Sequence, residues 1–324
     1  MTKDERIVRA NEAIQAHKAV YYNNGGYRGA DFWDYAEIFE IIDDMYEITG
    51  DAAYRVQIEE MYQNVLRSYS ANWAGNPYND DIMWLVIALT RAYLLTGEQK
   101  YLDLAKANYD PTFERAWDTT YFDGGLWWKQ DHKQCKNSCV NCPGAIAACL
   151  LGKATGDDSY FDKAKMIMAW QNKYLTVTET GKVFDCINLK GEEHQWSSTY
   201  NQGTYIGANC LLYDYTGEEE YKIHAQRAAD YAMNDMYQGG VMNNEDGGND
   251  LPGFKGIMSR WIRLCALKFD RPEYIDWLRL NADTAWSNKN SKGIMNTKLG
   301  APTEEKDYDV FVACAAVAIC VNSI

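Results

Sequence analysis

Two adjacent carboxylates offer the clearest chemistry in the sequence. Asp80 and Asp81 stand at the start of a segment with apolar, helical periodicity. Glycosidases use two carboxyl groups beside the scissile bond, one ionised and one that holds a proton near neutral pH. The positive end of the helix would keep one aspartate charged, and repulsion would raise the pKa of its neighbour. Because aspartates also commonly cap helices, spacing alone leaves a catalytic and a capping role open.

Aromatic and amide side chains could contact a carbohydrate. The chain has 24 Tyr, 11 Trp and only 9 Phe, so most of its rings carry a polar edge. Such rings suit sugar stacking, and they suit ordinary helix packing equally well. Trp127 and Trp128 could form a platform for a pyranose ring, although one of them is expected to pack in the core. Tyr200, Asn201 and Gln202 could hydrogen-bond sugar hydroxyls, or could form a helix-capping turn.

Further candidate contacts stand at or near predicted helix starts. They are Asp31, Trp33, Asn79, Lys255, Arg260, Asp307 and Tyr308. Lys255 and Arg260 would either pair with acids at the site or form ordinary surface or structural ion pairs. Acids, amides and aromatics that converge on one end of a fold are the composition expected of a carbohydrate cleft.

A recurring phrase indicates the elements that position these residues. Thr-Gly followed by an acid, with Tyr five residues after the Thr, begins at Thr49, Thr96, Thr155 and Thr216. The glycine ends one helix in a left-handed cap, and the acid favours the positive end of the next helix. Each phrase therefore predicts a tight turn between antiparallel helices, and its repetition predicts stacked helix pairs.

Reading outward from these turns predicts twelve helices in two sets. The more polar set covers 3–22, 53–72, 99–116, 158–175, 219–237 and 271–288. The more apolar set covers 31–48, 79–95, 142–154, 203–215, 256–268 and 308–321. Because helices that are apolar around most of their circumference are buried, the second set forms an inner ring. The prediction is an all-α (α/α)6 barrel of six inner and six outer helices, in one domain over residues 1–324.

The long connections predict which end of the barrel carries the site. Segments 117–141, 176–202, 238–255 and 289–307 all lead from an outer helix into an inner one. Long loops on a rigid scaffold usually carry function. The site is therefore expected at the end where the inner helices begin.

Charge and hydropathy narrow the choice of partners. The formal net charge is -14, from 46 acidic and 32 basic residues. Such a field repels a phosphate backbone, so no nucleic-acid partner is expected. No apolar run approaches the roughly 18 residues that span a bilayer, so no membrane partner is expected. The chain is expected to act as a monomer.

The cysteines bear on compartment and on metals. The chain has nine, an odd count, and several lie within apolar helical runs. This pattern and the lack of a leader favour the reducing cytoplasm, with export after removal of a leader as the alternative. The segment with His132, Cys135, Cys139 and Cys142 has zinc-ligand types without a standard spacing, so free or partly paired thiols are favoured there.

Several motifs together resemble glycoside hydrolase family 76, the endo-α-1,6-mannanases. Tyr78–Trp84 is similar to the paired-aspartate motif of the family, and it is the most specific element. Gly124–Trp128, Tyr200–Gly203 with Ile206–Ala208, and Phe254–Gly256 with Arg260 are similar to further family blocks. The resemblance runs from about Asp31 to the last helix.

The resemblance implies a retaining endo-α-1,6-mannanase acting on mannan, with no cofactor and no metal. By this resemblance Asp80 is the nucleophile and Asp81 is the general acid and then the base. It also implies that the mannose subsites are lined by Trp127, Trp128, Tyr200, Asn201 and Gln202.

Other functions stay open on the same fold. A glycan-binding protein without turnover could use the same aromatics, although it would not need both aspartates. A mannosyl-transferring relative would share the chemistry. An unsaturated-uronide hydrolase also uses aspartates, but its anionic substrate would require more basic residues in the loops. An N-acylglucosamine epimerase would require histidines at the barrel mouth, and none of the four histidines lies in a predicted inner helix.

Overall fold

The fold is built from twelve α-helices in the part of the chain that the computed structural model describes, residues 1–23, 26–246, 248 and 250–324. The helices are α1 Lys3–Tyr21, α2 Phe32–Thr49, α3 Ala52–Tyr69, α4 Asn79–Thr96, α5 Gln99–Ala116, α6 Ser138–Thr155, α7 Asp158–Tyr174, α8 Thr199–Thr216, α9 Glu219–Asp235, α10 Lys255–Phe269, α11 Pro272–Ser287 and α12 Val310–Asn322. Among these residues no helix is both long and apolar enough to cross a bilayer.

Short antiparallel strands lie in the loops. They are β1 Tyr22–Asn23, β2 Gly26–Tyr27, β3 Cys135–Asn137, β4 Thr176–Val177, β5 Lys182–Val183, β6 Cys186–Asn188, β7 Glu193–His194, β8 Tyr237–Gln238 and β9 Val241–Met242. β3, β6 and β7 form one three-stranded sheet, and the remaining strands form two-stranded pairs.

The even-numbered helices form a closed inner ring. Each of α2, α4, α6, α8, α10 and α12 packs on the next, and α12 packs on α2. The odd-numbered helices lie outside, each against an inner neighbour. The apolar side chains from Ile82 to Leu89 on α4 are almost fully buried, as expected for an inner helix. The predicted all-α (α/α)6 barrel is confirmed.

The tight turns form as the recurring phrase predicts. Gly50, Gly97, Gly156 and Gly217 end α2, α4, α6 and α8 in the left-handed conformation, with φ between 65° and 76°. Glycine adopts this conformation without the steric cost that a Cβ brings. Asp270 takes the equivalent place after α10, at φ 53°.

Two inner helices begin four residues earlier than predicted. α6 begins at Ser138 and α8 at Thr199, where the sequence predicted starts at 142 and 203. The α6 extension is held by Ser138, whose N–H and hydroxyl donate to carbonyls of the 184–185 segment. The α8 extension is capped by Glu245, which accepts from the Thr199 N–H at 2.7 Å. These contacts come from loops distant in sequence, so helical periodicity could not indicate them.

A buried cluster of charges joins the inner helices away from the long loops. Arg260 of α10 donates to Glu37 at 3.2 Å and to Asp44 at 2.9 Å, both on α2. Arg91 of α4 bonds Asp44 at 2.7 Å, and Asn322 of α12 donates to it at 3.1 Å. Buried charges are tolerated only when paired in this way, so the cluster links α2, α4, α10 and α12.

Candidate active site

A cleft of about 630 Å³ opens at the end of the barrel where the inner helices begin. Its acidic lining residues are Asp31, Asp80, Asp81, Asp185 and Asp250. Its aromatic lining residues are Trp33, Tyr78, Trp84, Trp128, Tyr200 and Phe254. Among the described residues the lining contains no Lys, Arg or His side chain. Acidic and aromatic walls without a cation suit a neutral, hydroxyl-rich ligand better than an anionic one.

The aspartate pair sits in the first turn of α4 and does not cap it. Tyr78 is the N-cap residue, and its side chain makes no capping hydrogen bond. Asp80 is 8 % exposed, and its Oδ2 accepts from the Trp128 indole N–H at 3.0 Å. Asp81 is partly exposed, and its Oδ2 accepts from the Asn76 amide at 3.0 Å. Both carboxyls are thus turned from the α4 backbone to the cleft, which argues against the capping alternative.

Burial makes both carboxyls hold protons more tightly than usual. Burial, with a further contribution from the charge of Asp81, raises the pKa of Asp80 well above its ordinary value. Burial also raises the pKa of Asp81 to about 7, against the hydrogen bond from Asn76. Because the two carboxyls are coupled, a proton on Asp81 removes its repulsion of Asp80. The Trp128 N–H and the N-terminus of α4 act in the opposite direction and favour the charged form of Asp80, but burial outweighs them, so in the empty cleft Asp80 holds its proton more tightly than Asp81.

One deprotonated and one protonated carboxyl are the pair that glycoside cleavage needs. The physical cause differs from the sequence prediction, in which mutual repulsion was the source of the raised pKa. Desolvation contributes most here, since Asp80 is buried and its Oδ1 has no hydrogen-bond partner.

Aromatic rings from α4, α8 and the segments before the inner helices line the cleft. Tyr200 of α8 stacks on Phe254, with ring centroids 3.8 Å apart and planes 21° apart. The ring centroid of Trp84, on α4, lies 6.2 Å from that of Tyr200, and the two ring planes are 26° apart. Beside the aspartate pair, the ring centroids of Trp128 and Tyr78 lie 5.3 Å apart. Such faces can stack on the apolar face of a sugar ring while their polar edges reach its hydroxyls.

Six of the predicted site residues lie together in the cleft. They are Asp31, Trp33, Asp80, Asp81, Trp128 and Tyr200. The expectation that one of the paired tryptophans packs inside is also confirmed, because Trp127 is 1 % exposed.

Two predicted contacts instead hold the segment that carries Trp128. The Asn79 amide donates to the Trp127 carbonyl at 2.8 Å, and its oxygen accepts from Arg115 at 2.7 Å. The Trp127 indole donates to Asp118 at 2.9 Å, away from the cleft lining. Neighbouring side chains of an extended segment point to opposite faces, so only one tryptophan of the pair reaches the cleft.

Two more predicted contacts, Asn201 and Gln202, are fully buried in the first turn of α8. Gln202 donates to the carbonyls of Gly181 and Ala228 and accepts from the Val183 N–H. Asn201 is also buried and faces Asp185, its amide 3.5 Å from that carboxylate. Because α8 begins at Thr199, both residues stand within its first turn and position loops that surround the cleft.

The remaining predicted contacts also lie outside the cleft lining. Lys255 is fully buried and donates to the Pro252 carbonyl at 2.8 Å, and Arg260 belongs to the buried charge cluster. Asp307 is exposed near Lys292, and the Tyr308 hydroxyl accepts from the Glu304 N–H. For Arg260 the alternative of a structural ion pair holds, whereas Lys255 forms no ion pair among the described residues and donates only to the Pro252 carbonyl and the Asn244 side-chain oxygen.

Sequence reasoning missed several residues of the cleft. Asp185 and Cys186 reach it through the pairing of β6 with β3, and Asp250 reaches it from the loop before α10. Tyr78, Trp84 and Phe254 belong to quoted motifs but were not predicted as contacts. Nothing local marks Asp185, whereas a position next to the aspartate pair could have indicated Tyr78.

The cysteine segment divides between different places. Cys135 and Cys139 line the cleft, Cys142 is buried on α6, and His132 is exposed beside Asp131. The described residues therefore do not gather these four into one ligand set. All nine cysteines are free thiols.

Fold and cleft together define an (α/α)6-barrel glycosidase with a paired-carboxylate site. The chain belongs to glycosyl hydrolase family 76, whose family model matches residues 8–324.

Solved structures of the family share the fold over nearly the whole chain. An α-1,6-mannanase from Salegentibacter sp. HEL1_6 is 29% identical, with 98% of each chain covered and a TM-score of 0.90. An inactive variant of it, with two consecutive aspartates replaced by asparagine, was solved in complex with α-1,6-mannotriose. That structure is 28% identical to this chain, with 98% of each covered and a TM-score of 0.91.

Curated relatives are longer proteins from fungi. Mannan endo-1,6-alpha-mannosidase DCW1 of Candida albicans is 29% identical over 57% of this chain and 45% of its own length. Mannan endo-1,6-alpha-mannosidase DFG5 of Saccharomyces cerevisiae is 25% identical over 89% of this chain and 71% of its own. A putative mannan endo-1,6-alpha-mannosidase of Schizosaccharomyces pombe is covered over 57% of its length. The chain thus spans about half the length of the Candida albicans and Schizosaccharomyces pombe relatives.

Proposed function

We propose that this protein hydrolyses α-1,6-mannosidic bonds within mannan chains, with retention of configuration. The observation that carries the proposal is the placement of Asp80 and Asp81 in a cation-free aromatic cleft, among the described residues. Relatives named for α-1,6-mannan cleavage support the substrate class.

The aspartate pair is supported by elimination among similar pairs. The chain contains three consecutive aspartate pairs, Asp43-Asp44, Asp80-Asp81 and Asp157-Asp158. The first is buried, with Asp44 in the charge cluster, and the third lies at the exposed start of α7. Asp80-Asp81 is the pair that lines the cleft. Replacement of two consecutive aspartates in the Salegentibacter variant, described as inactive, agrees with this choice.

In the proposed reaction the roles of the two acids follow the family resemblance: Asp80 loses its proton when substrate binds and attacks the anomeric carbon, while Asp81 gives a proton to the departing glycosidic oxygen. The glycosidic bond breaks, and a mannosyl–Asp80 ester forms. Asp81, now ionised, takes a proton from water, and the resulting nucleophile displaces Asp80 from the sugar. Each step inverts the anomeric carbon, so the product keeps the configuration of the substrate.

The lining also bears on the rival substrates. An unsaturated uronide carries a carboxylate, and five aspartates without a cation in the described lining would repel it. Neutral mannose meets no such penalty, and its hydroxyls can donate to those carboxylates.

The test is product analysis with unbranched α-1,6-mannan and α-1,6-mannotetraose. We expect a ladder of short oligosaccharides, with proton NMR showing the α-anomer first. Asp80→Ala and Asp81→Ala are each expected to lose activity by at least about a thousandfold, the scale for key catalytic groups. Asp158→Ala, which also removes a first-turn aspartate but at the exposed start of α7, is the matched control and should retain activity.

Other outcomes would redirect the proposal. Release of mannose or mannobiose alone would keep the chemistry but make the enzyme end-acting. Longer products formed in excess acceptor would favour mannosyl transfer over hydrolysis. Full activity in both Ala variants would refute the assigned site.

A further inference from the structure

A small sheet on the cleft wall brings together side chains that the proposed hydrolysis does not use. β3, β6 and β7 pair so that Cys186 on β6 stands directly opposite His194 on β7. On the other side Cys186 pairs with Asn137, and Cys135 lies two residues from Asn137 on the same face of β3. Cys135, Cys186 and His194 therefore come from three adjacent strands.

The side chains of this group are within ligand distance of one another. One ligand atom each from Asp185, Cys186 and His194 lies within 4.8 Å of the others. The His194 Nδ1 is 3.0 Å from Asp185 Oδ2. Cys135 is a diagonal neighbour of Cys186 across the β3–β6 pair, since Cys135 pairs with Asn188 and Cys186 pairs with Asn137.

The donor types fit one class of metal. Thiolate sulfur, imidazole nitrogen and carboxylate oxygen are the ligands of tetrahedral Zn²⁺, at roughly 2.0–2.3 Å from the ion. Those bond lengths place ligand atoms roughly 3.3–3.8 Å apart in a tetrahedron, so a contraction of about an ångström would bring the ligand atoms of Asp185, Cys186 and His194 to these separations. Mg²⁺ and Ca²⁺ are disfavoured because they select oxygen ligands.

Accessibility separates this group from the other cysteines. His194 is 62% exposed at its side chain, and Cys135 and Cys186 are partly exposed on the cleft wall. The other seven cysteines are buried. An ion could therefore reach the two thiols and the Asp185 carboxylate from the cleft, and the His194 imidazole from the surrounding solvent.

We propose that Cys186, His194 and Asp185 bind a zinc ion on the cleft wall, with Cys135 as the fourth ligand. Binding would release the thiol protons and replace the hydrogen bond between His194 and Asp185 with two bonds to the metal. The ion would occupy the same cleft as Asp80 and Asp81 without taking part in glycoside cleavage.

The test measures metal binding directly on the full chain. Chelator-treated protein is kept reduced and titrated with zinc against a chromophoric competitor, and with cobalt for its absorption spectrum. We expect one zinc per chain and thiolate-to-cobalt charge-transfer bands. Cys186→Ser, His194→Gln and Cys135→Ser are each expected to weaken zinc binding at least tenfold. Thermal melting of each variant confirms that it is folded.

His132→Gln is the matched control. His132 is also exposed beside an aspartate, with Nδ1 3.2 Å from Asp131, but it lies outside the ligand set. Its loss should leave zinc affinity unchanged. Equal zinc affinity in wild type and Cys186→Ser, or cobalt binding without thiolate bands, would overturn the proposal. Since the readout is metal rather than sugar cleavage, it stands or fails separately from the proposed function.

Discussion

The hydrogen bond from Trp128 to Asp80 is expected to set the acid limit of activity. Trp128→Phe keeps an aromatic face in the cleft but removes the N–H that lies 3.0 Å from Asp80 Oδ2. The bond matters because Asp80 is only 8 % exposed and its Oδ1 has no hydrogen-bond partner, so the indole N–H is the main donor to this carboxylate.

The size of the effect follows from the charge on the acceptor. A hydrogen bond to a charged group contributes about 1.5–3 kcal/mol. One pKa unit corresponds to about 1.4 kcal/mol, so losing the donor should raise the pKa of Asp80 by about one to two units. The nucleophile acts when ionised, and a raised pKa delays ionisation. The acid limb of kcat/KM should therefore move to higher pH by about one to two units.

The assay is the pH profile of mannotetraose cleavage for wild type, Trp128→Phe and Trp33→Phe. Trp33 lines the same cleft, but its ring packs on Phe311 at 4.5 Å, so its variant controls for lost ring area. It should change KM and leave the acid limb in place. An unmoved limb in Trp128→Phe, or an equal movement in both variants, would refute the reasoning.

Two further predictions concern stability. Arg260→Met leaves the buried Asp44 carboxylate without one of its charged partners and should lower the free energy of unfolding by about 3–5 kcal/mol in urea titrations. Arg55→Met breaks an exposed pair and should cost no more than about 1 kcal/mol, so equal losses would contradict the role of the buried cluster. Burial and then the charge of Glu40 raise the pKa of Glu37 to about 8, so the native state keeps a proton that the unfolded chain releases above about pH 4.3. Stability should therefore fall as pH rises from about 5 through 8, and Glu37→Gln should flatten that decline; an unchanged slope would count against the assignment.

Local signals predicted much of the barrel. A left-handed glycine, the acid after it and the following tyrosine act within six residues, so Gly50, Gly97, Gly156 and Gly217 could be placed from sequence. The aspartate pair could also be placed from sequence, because a residue at the start of an inner helix lies at the end of the barrel where the inner helices begin.

The helix starts and cleft residues that the sequence did not predict depend on contacts between segments distant in sequence. Glu245 caps α8 from 46 residues away, and this extension turns Asn201 and Gln202 from predicted contacts into buried supports. Asp185 enters the cleft only because β6 pairs with β3. Residue type alone could not separate Trp127 from Trp128, since the choice depends on which face of an extended segment meets the core.

Closure of the ring by α12 has a consequence for synthesis on the ribosome. α12 follows all the other inner helices in chain order, yet it fills the gap between α2 and α10. Until α12 has left the exit tunnel, the ring of inner helices is incomplete. The surfaces of α2 and α10 that will pack on α12 are then exposed to solvent. Asn322 has also not yet reached Asp44. A premature stop before Val310 should therefore yield an aggregation-prone, protease-sensitive product rather than a smaller active enzyme.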